Sequence, residues 1–303
     1  MRGGNNERYE DSGRAATPRC GLGAGPSRTH SVGVTVPPAD QRSRDARGRL
    51  PWTSRRGVRG VGLVFLPLTI LVAWQVLSIS GAFSAAQLPT PLMVVEAGID
   101  LAQRGLLGLY IAISVQRTLM GFAIGAALGL AIGAFVGLSR FWDIFFGSTL
   151  GALRAVPSLA WVPLLILWMK IGEESKITLI AIGAFFPVYT TVASALRHVD
   201  RQLVEASRAF GLRGVKLFTT VQLPAALPAV ISGLRLALAQ AWLFLVAAEL
   251  IASSMGLGFL LIDSQNNGRT DRLFLAIVLL AVIGKLTDSL IGLFEKWANK
   301  KWA

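Results

Sequence analysis

Covalent and metal chemistry have little to work with in this chain of 303 residues. Cys20 is the only cysteine, and His30 and His198 are the only histidines. That inventory allows no intrachain disulfide, no cysteine-bound metal and no Cys–His dyad, so no metal site is expected. A phosphate-cradling loop needs G-x-x-x-x-G-K-[ST], whose backbone amides and lysine hold the phosphates. The nearest approach, Gly284-Lys285-Leu286, lacks the hydroxyl and lies inside an apolar run. Neither G-x-S-x-G nor H-E-x-x-H occurs, so the chain is expected not to be an enzyme. What remains with chemical leverage is charge in apolar surroundings. Arg154, followed by Pro157 and Ser158, interrupts LRAVPSLAWVPLLILW, while Arg235 and Glu249 stand in the run Ala229–Ala252. A charge at mid-membrane costs about 2.5–3.5 kcal/mol on insertion scales, so each needs a wet cavity or a partner. Arg154, Pro157, Ser158, Arg235 and Glu249 are therefore candidates for lining such a cavity. Arg235 also reads as an anchor at the inner interface, and Glu249 has Arg154, Arg235 or Arg117 to pair with.

A second group of residues has a spacing suited to docking. Glu205–Pro224, EASRAFGLRGVKLFTTVQLP, is a basic, polar island between two apolar runs. Asp200 can cap a short helix by accepting an amide hydrogen bond in its first turn. Leu203, Ala206, Ser207 and Phe210 share one face at the i, i+3, i+4, i+7 spacing. Gly211 falls where a left-handed residue ends a helix. A second short run, Val215–Leu223, ends at Pro224, with Pro228 beyond suiting the entry to a new helix.

The elements that must position these groups are membrane spans. Hydrophobic residues make up 53% of the chain and charged ones 16%, a membrane-protein composition. Spans are expected at about 61–79, 109–138, 141–169, 177–195, 229–252 and 273–294, each long enough for a ~30 Å hydrocarbon layer. The second carries Gly121, Gly125, Gly129, Gly133 and Gly137, a seam of small residues at i, i+4. Each glycine costs about 1 kcal/mol against alanine in a helix, which close helix packing would offset. The third is irregular. Loop 80–108 and the Lys170–Lys176 turn read as outer. The loop 253–272 reads as polar, with flexible MGLG (Met255–Gly258) and QNNG (Gln265–Gly268).

The net charge of +13 is distributed as cytoplasmic retention of Lys and Arg predicts, not as a nucleic-acid-binding face. Loop 196–228 has Arg197, Arg201, Arg208, Arg213 and Lys216 against Asp200 and Glu205, which puts it, and both chain termini, in the cytoplasm. Residues 1–59 form a basic leader whose composition predicts disorder, with no cleavable signal peptide before Val61. A translation start nearer Val58 or Val61 is the alternative.

Glu205-Ala206-Ser207, Gly211, Val221 and Leu223-Pro224, at their spacing, resemble the EAA motif of importer-type ABC permeases, with Ser207 and Val221 where Ala and Ile are usual. VPSLAWVPLLILW (Val156–Trp168), Ala248-Glu249-Leu250 followed by Gly256-Leu257-Gly258, and IGKLTDSLIGLFEKW (Ile283–Trp297) look like the nitrate/sulfonate/taurine branch, and within it the aliphatic sulfonate permeases. Lys170 departs from that branch, where Gly is usual, and the leader has no counterpart.

The resemblance implies an all-α, polytopic fold of six transmembrane helices, the type I ABC importer permease fold, in the bacterial inner membrane. It implies a homodimer, two cytoplasmic ABC ATPase subunits that bind the ATP, and an extracytoplasmic solute-binding protein. No cofactor is implied on this chain. Glu205, Ala206, Ser207, Gly211, Val221, Leu223 and Pro224 would then form the ATPase-coupling element. The substrate would be an aliphatic sulfonate, with nitrate, taurine, bicarbonate or a thiamine precursor as alternatives. An ion-coupled secondary transporter is the rival mechanism; its paired discontinuous halves are not found.

Overall fold

The computed structural model describes residues 56–302. The expected leader, Met1–Arg59, lies outside the described residues up to position 55. The description that follows concerns the unit that begins at Val61. Among the described residues every regular element is helical. The order begins α1 (Arg56–Ile79), α2 (Pro91–Gln103), α3 (Leu106–Leu138) and α4 (Arg140–Trp142). A π-turn (Asp143–Gly147), α5 (Ser148–Ala155), a 3-10 turn (Ser158–Ala160) and α6 (Trp161–Met169) follow. Next are α7 (Glu173–Arg197), α8 (Arg201–Ala209), α9 (Gly214–Leu217) and a second π-turn (Phe218–Gln222). The chain closes with α10 (Leu223–Ala252), α11 (Leu257–Asn266) and α12 (Thr270–Trp302).

Four helical stretches are long and apolar enough to cross a membrane: Leu106–Leu138, Glu173–Arg197, Gly214–Ile251 and Thr270–Lys296. The other two expected spans take different forms. The apolar part of α1 is the shorter stretch Phe65–Ile79. The expected third span, 141–169, is not one helix: a π-turn at Asp143–Gly147 interrupts it, and it breaks after α5 at Val156-Pro157, while Pro163 is held within α6. Val156 is extended (φ −69°, ψ 124°), as a residue before proline is pushed to be. Burial is arranged for a bilayer rather than for water. Ser114, Arg117 and Thr118 of α3 are buried, while Leu119, Ile124 and Leu128 of the same helix are exposed.

The centre is α7. On one side α3 lies against it along the whole glycine seam. A methyl group built on Gly121, Gly129, Gly133 or Gly137 would stand 2.6 to 3.0 Å from Ile180, Val188, Val192 or Leu196. On Gly125 it would run into the Ala181 carbonyl. On the other side α10 approaches through two glycines, with Phe244 over Gly183 and Thr191 over Gly233. Between them Ile180, Ala184, Val188, Ala237, Ala241 and Leu245 form the main core.

Two segments expected to be loops are helical. The outer loop 80–108 contains α2, started by Thr90, whose hydroxyl accepts from the Met93 amide (3.3 Å), with Pro91 in the first turn. Val94, Ala97 and Leu101 of α2 pack on Leu260 of α11 and on Leu275 and Ala276 of α12. Asp100 pins the same contact: it accepts from Arg104 (2.9 Å) and Arg272 (3.0 Å). The Arg104 hydrogen bond leads in holding its carboxyl below the ordinary range. The region 253–272 holds α11, with Leu257, Gly258 and Leu260 buried, so MGLG is packed rather than flexible.

Overpacking a close contact costs typically 1–3 kcal/mol. Gly125→Ala should therefore lower the melting temperature of the detergent-purified protein. Gly108→Ala, on the same helix with nothing within 4 Å, should not. Equal melting of the two variants would show that the seam is not a close contact.

Candidate functional site

At one end of the bundle α8 is fixed as a short, rigid, capped helix. The Asp200 carboxylate accepts from the Gln202 amide (2.8 Å), which satisfies one of the orphan donors of the first turn. Gly211 takes φ +85°, the Leu212 amide donates to the Ser207 carbonyl (3.1 Å) and the Gly211 amide to Arg208 (2.9 Å). That pair of bonds is a Schellman ending, and it requires the left-handed residue the sequence supplies. No atom lies within 4 Å of a methyl built on Gly211, so its backbone conformation alone makes the demand.

The expected common face of α8 divides. Ser207 is buried, its hydroxyl donating to the Leu203 carbonyl (2.7 Å). Leu203, Ala206 and Phe210 point outward, and Phe210 is 89% exposed. Glu205 is exposed and pairs with Arg201 (2.7 Å), raising that guanidinium above its ordinary value. Val215 is 77% exposed.

The remainder of the motif does not form a separate short helix ending at Pro224, as the sequence reading had it. Residues 214–251 are one continuous helix, entered through a π-turn at Phe218–Gln222. Proline lacks an amide and its ring crowds the carbonyl four residues earlier, here that of Thr220. The wider π-turn accommodates both demands without breaking the helix. Val221 and Pro224 are half-buried on this stretch and Leu223 is 37% exposed.

The five intramembrane candidates fall in three places. Arg154, on α5, is exposed and has no ion-pair partner among the described residues. It lines a cavity of about 530 Å³ with Asp143, Tyr189, Thr190, Arg197 and His198. Pro157 lies in the break after α5, where its carbonyl accepts from the Ala160 amide (2.8 Å). Ser158 opens the 3-10 turn, and its side chain is outside the described residues.

Arg235 is a different case. Its guanidinium meets Asp288 (2.9 Å) and Glu295 (3.0 Å) of α12. Two carboxylates leave it no surplus positive field for a passing anion, so geometry makes it a brace between α10 and α12.

Glu249 is likewise enclosed and does not face an open path. It has no solvent exposure, and its partner is Arg117, at 2.8 Å. Ser114 donates to both its oxygens (2.8 and 2.9 Å), and the Gly258 amide donates to Oε2 (2.8 Å). Arg117 also donates to Glu173 at the start of α7 and to the Met255 carbonyl (2.7 Å). Built methyl groups on Gly256 and Gly258 would collide with the Glu249 side chain. Arg117 and Glu173 were not among the candidate site residues. Their signal was a basic residue opening an apolar run and an acidic pair, Glu173 and Glu174, in a short turn.

Near this end Lys170 has φ 62° and ψ −175°, a conformation essentially reserved for glycine. That supplies a physical reason for the glycine usual at this position in the resembling branch.

A helical bundle with apolar side chains outward, charges paired inside and a rigid capped helix on the loop between two spans has the build of a membrane permease subunit. Family comparison makes that specific. The chain belongs to the family described as binding-protein-dependent transport system inner membrane component, whose model matches residues 123–300. It is a multi-pass inner membrane protein, the permease subunit of an ABC importer and not its ATPase.

Two relatives carry the name "Putative aliphatic sulfonates transport permease protein SsuC". The one from Bacillus subtilis is 42% identical over 84% of this chain and 97% of its own length. The one from Escherichia coli is 43% identical over 77% and 88%. Among solved structures, a chain of the MetNI methionine ABC transporter in inward-facing conformations superposes with a TM-score of 0.58 at 20% identity. The match covers 65% of this chain and 98% of that one. At that identity the likeness is one of fold, the fold of type I ABC importer permeases.

Removing one member of a buried ion pair typically costs 3–5 kcal/mol, because the other charge is left uncompensated. Arg117→Met, which leaves the buried Glu249 carboxylate with no cation among the described residues, should therefore destabilise the purified protein more than Arg117→Met combined with Glu249→Leu. Thermal unfolding in detergent measures this, and additive losses would show that the two side chains do not act as a pair.

Proposed function

We propose that two copies of this chain, with two cytoplasmic ABC ATPase subunits and an extracytoplasmic solute-binding protein, import a small anion by alternating access. ATP is bound and hydrolysed by the partner subunits. The element Glu205–Pro224 carries the closing motion of the ATPases into the bundle. The observation that carries this reading is the build of α8. It is capped at both ends, held through buried Ser207 and turns Leu203, Ala206 and Phe210 outward. Rigidity with an uncovered apolar face is what a docking lever needs, since little ordering remains to be done on binding.

Aliphatic sulfonates are the substrate class best supported, because the 42% and 43% identical relatives bear that name. Arg154 fits a weakly attractive path: an uncompensated guanidinium beside a cavity attracts an anion without holding it. Pro157 and Ser158 shape the break that puts it there.

Two experiments test the reading. Phe210 makes little of its contact within this chain, so Phe210→Glu should leave thermal stability unchanged. It should lower both ATPase-subunit retention and ATP-driven uptake roughly tenfold or more, as loss of a central interface residue does. Full uptake by this variant would remove the coupling role. Arg154→Gln, in an assembly that still couples ATPase activity to the binding protein, should lower sulfonate uptake about fivefold, the effect of ~1 kcal/mol of charge interaction. Normal sulfonate uptake would take Arg154 off the path, while preferred uptake of nitrate, taurine or bicarbonate would change the substrate and keep the mechanism.

A further inference from the structure

We propose that the cleft between α8 and the α3–α4 elbow is a binding site for an anionic phospholipid. The cleft encloses about 570 Å³ and its charged walls are Arg140, Arg197, Arg201 and Arg208 against Asp143 and Glu205. Two of these arginines are balanced: Arg197 pairs with Asp143 (2.6 Å) and Arg201 with Glu205 (2.7 Å). Arg140 and Arg208 have no carboxylate partner among the described residues, so two of the arginines lining the cavity are uncompensated. The guanidinium fork matches the oxygens of a phosphate, which makes such a pair a receptor for a phosphodiester headgroup.

The second observation is what lies next to the cleft. An apolar groove of about 290 Å³ is walled by Ile132, Phe135, Val136, Trp142 and Phe146. Val136 lines both spaces, so the charged cleft and the apolar groove adjoin. Phe135, Trp142 and Phe146 are 64%, 41% and 42% exposed, as aromatic side chains at a membrane interface are. A ligand that uses both spaces must carry an anionic head and a hydrocarbon tail. A free anion would leave the groove bare, and a zwitterionic lipid brings, with its phosphodiester, a quaternary ammonium that two uncompensated guanidiniums repel. Basic pockets at the ends of membrane helices are suited to such headgroups. The site touches α8 and the elbow at once, so an occupant ties the docking helix to the end of the glycine seam. The inference stands on these two cavities and does not depend on the transport reading.

The test is native mass spectrometry of the purified full chain in mild detergent, titrated with phosphatidylglycerol or phosphatidylcholine, with inorganic phosphate as competitor. Phosphatidylglycerol should bind roughly tenfold more tightly than phosphatidylcholine, and Arg140→Gln with Arg208→Gln should shrink that preference to about twofold or less. Both side chains are exposed, so circular dichroism and gel filtration should match the parent. Trp142→Ala with Phe146→Ala should weaken phosphatidylglycerol binding through the groove alone. Equal binding of the two lipids, or undiminished preference in the arginine variant, overturns the proposal. Displacement of phosphatidylglycerol by millimolar inorganic phosphate marks a free-anion site and overturns it too, as does unchanged lipid binding after loss of the two aromatic rings.

Discussion

A carboxylate with no access to solvent must be met from every side, and Glu249, on α10, is met by partners from α3 and α11. Taking such a group out of water costs several kcal/mol, and only close, well-aligned hydrogen bonds offset it. Here the guanidinium of Arg117 and the hydroxyl of Ser114 come from α3, and the Gly258 amide comes from α11. Arg117 passes the constraint to α7 through Glu173. Because a methyl on Gly256 or Gly258 would overlap the Glu249 side chain, the turn into α11 must be glycine on both sides of Leu257. One buried charge thus fixes where α3, α7, α10 and α11 meet, and α2 and α12 close over α11 in turn.

From that node the glycine seam carries the geometry to the other end. Apolar side chains give no net drive for helix association inside lipid, so the attraction has to come from close packing. Five glycines at i, i+4 on α3 let its backbone lie against Ile180, Ala181, Val188, Val192 and Leu196 of α7. The contact leaves no room for a methyl group between the two helices. Its far end bears the Asp143–Arg197 pair beside the elbow and the beginning of α8.

Local signals were legible wherever the cause was local. The Asp200 cap and Gly211 at the end of α8 follow from single residues and their backbone demands. The interruption after Arg154 follows from Pro157, and the seam from glycine spacing. What escaped was decided by contacts remote in sequence. The segment 253–272 is polar and glycine-rich, yet Leu257 and Leu260 are buried because Glu249 and α2 supply their surroundings. Thr90-Pro91 is a local start signal for α2, set inside a segment whose charges read as the outer face. Glu249 could be recognised as needing a partner, but choosing Arg117 over Arg154 or Arg235 required knowing which helix ends adjoin, and that spacing along the chain does not encode.

The helix that includes α9 and α10 runs without a break from the loop that bears α8 to the buried node. A hinge at Pro224 would have absorbed any push delivered to the loop, because a broken helix bends before it transmits. The π-turn at Phe218–Gln222 instead lets Pro224 follow without a break, and Pro228 lies within the same helix of 38 residues, about 57 Å at 1.5 Å per residue. Val215 stands exposed near one end and Glu249 is buried near the other. A displacement imposed on α8 and α9 in the proposed cycle would then arrive where Arg117, Ser114 and Gly258 grip the carboxylate. The ion pair at which α3, α10 and α11 meet is thereby the point against which such a lever would have to work.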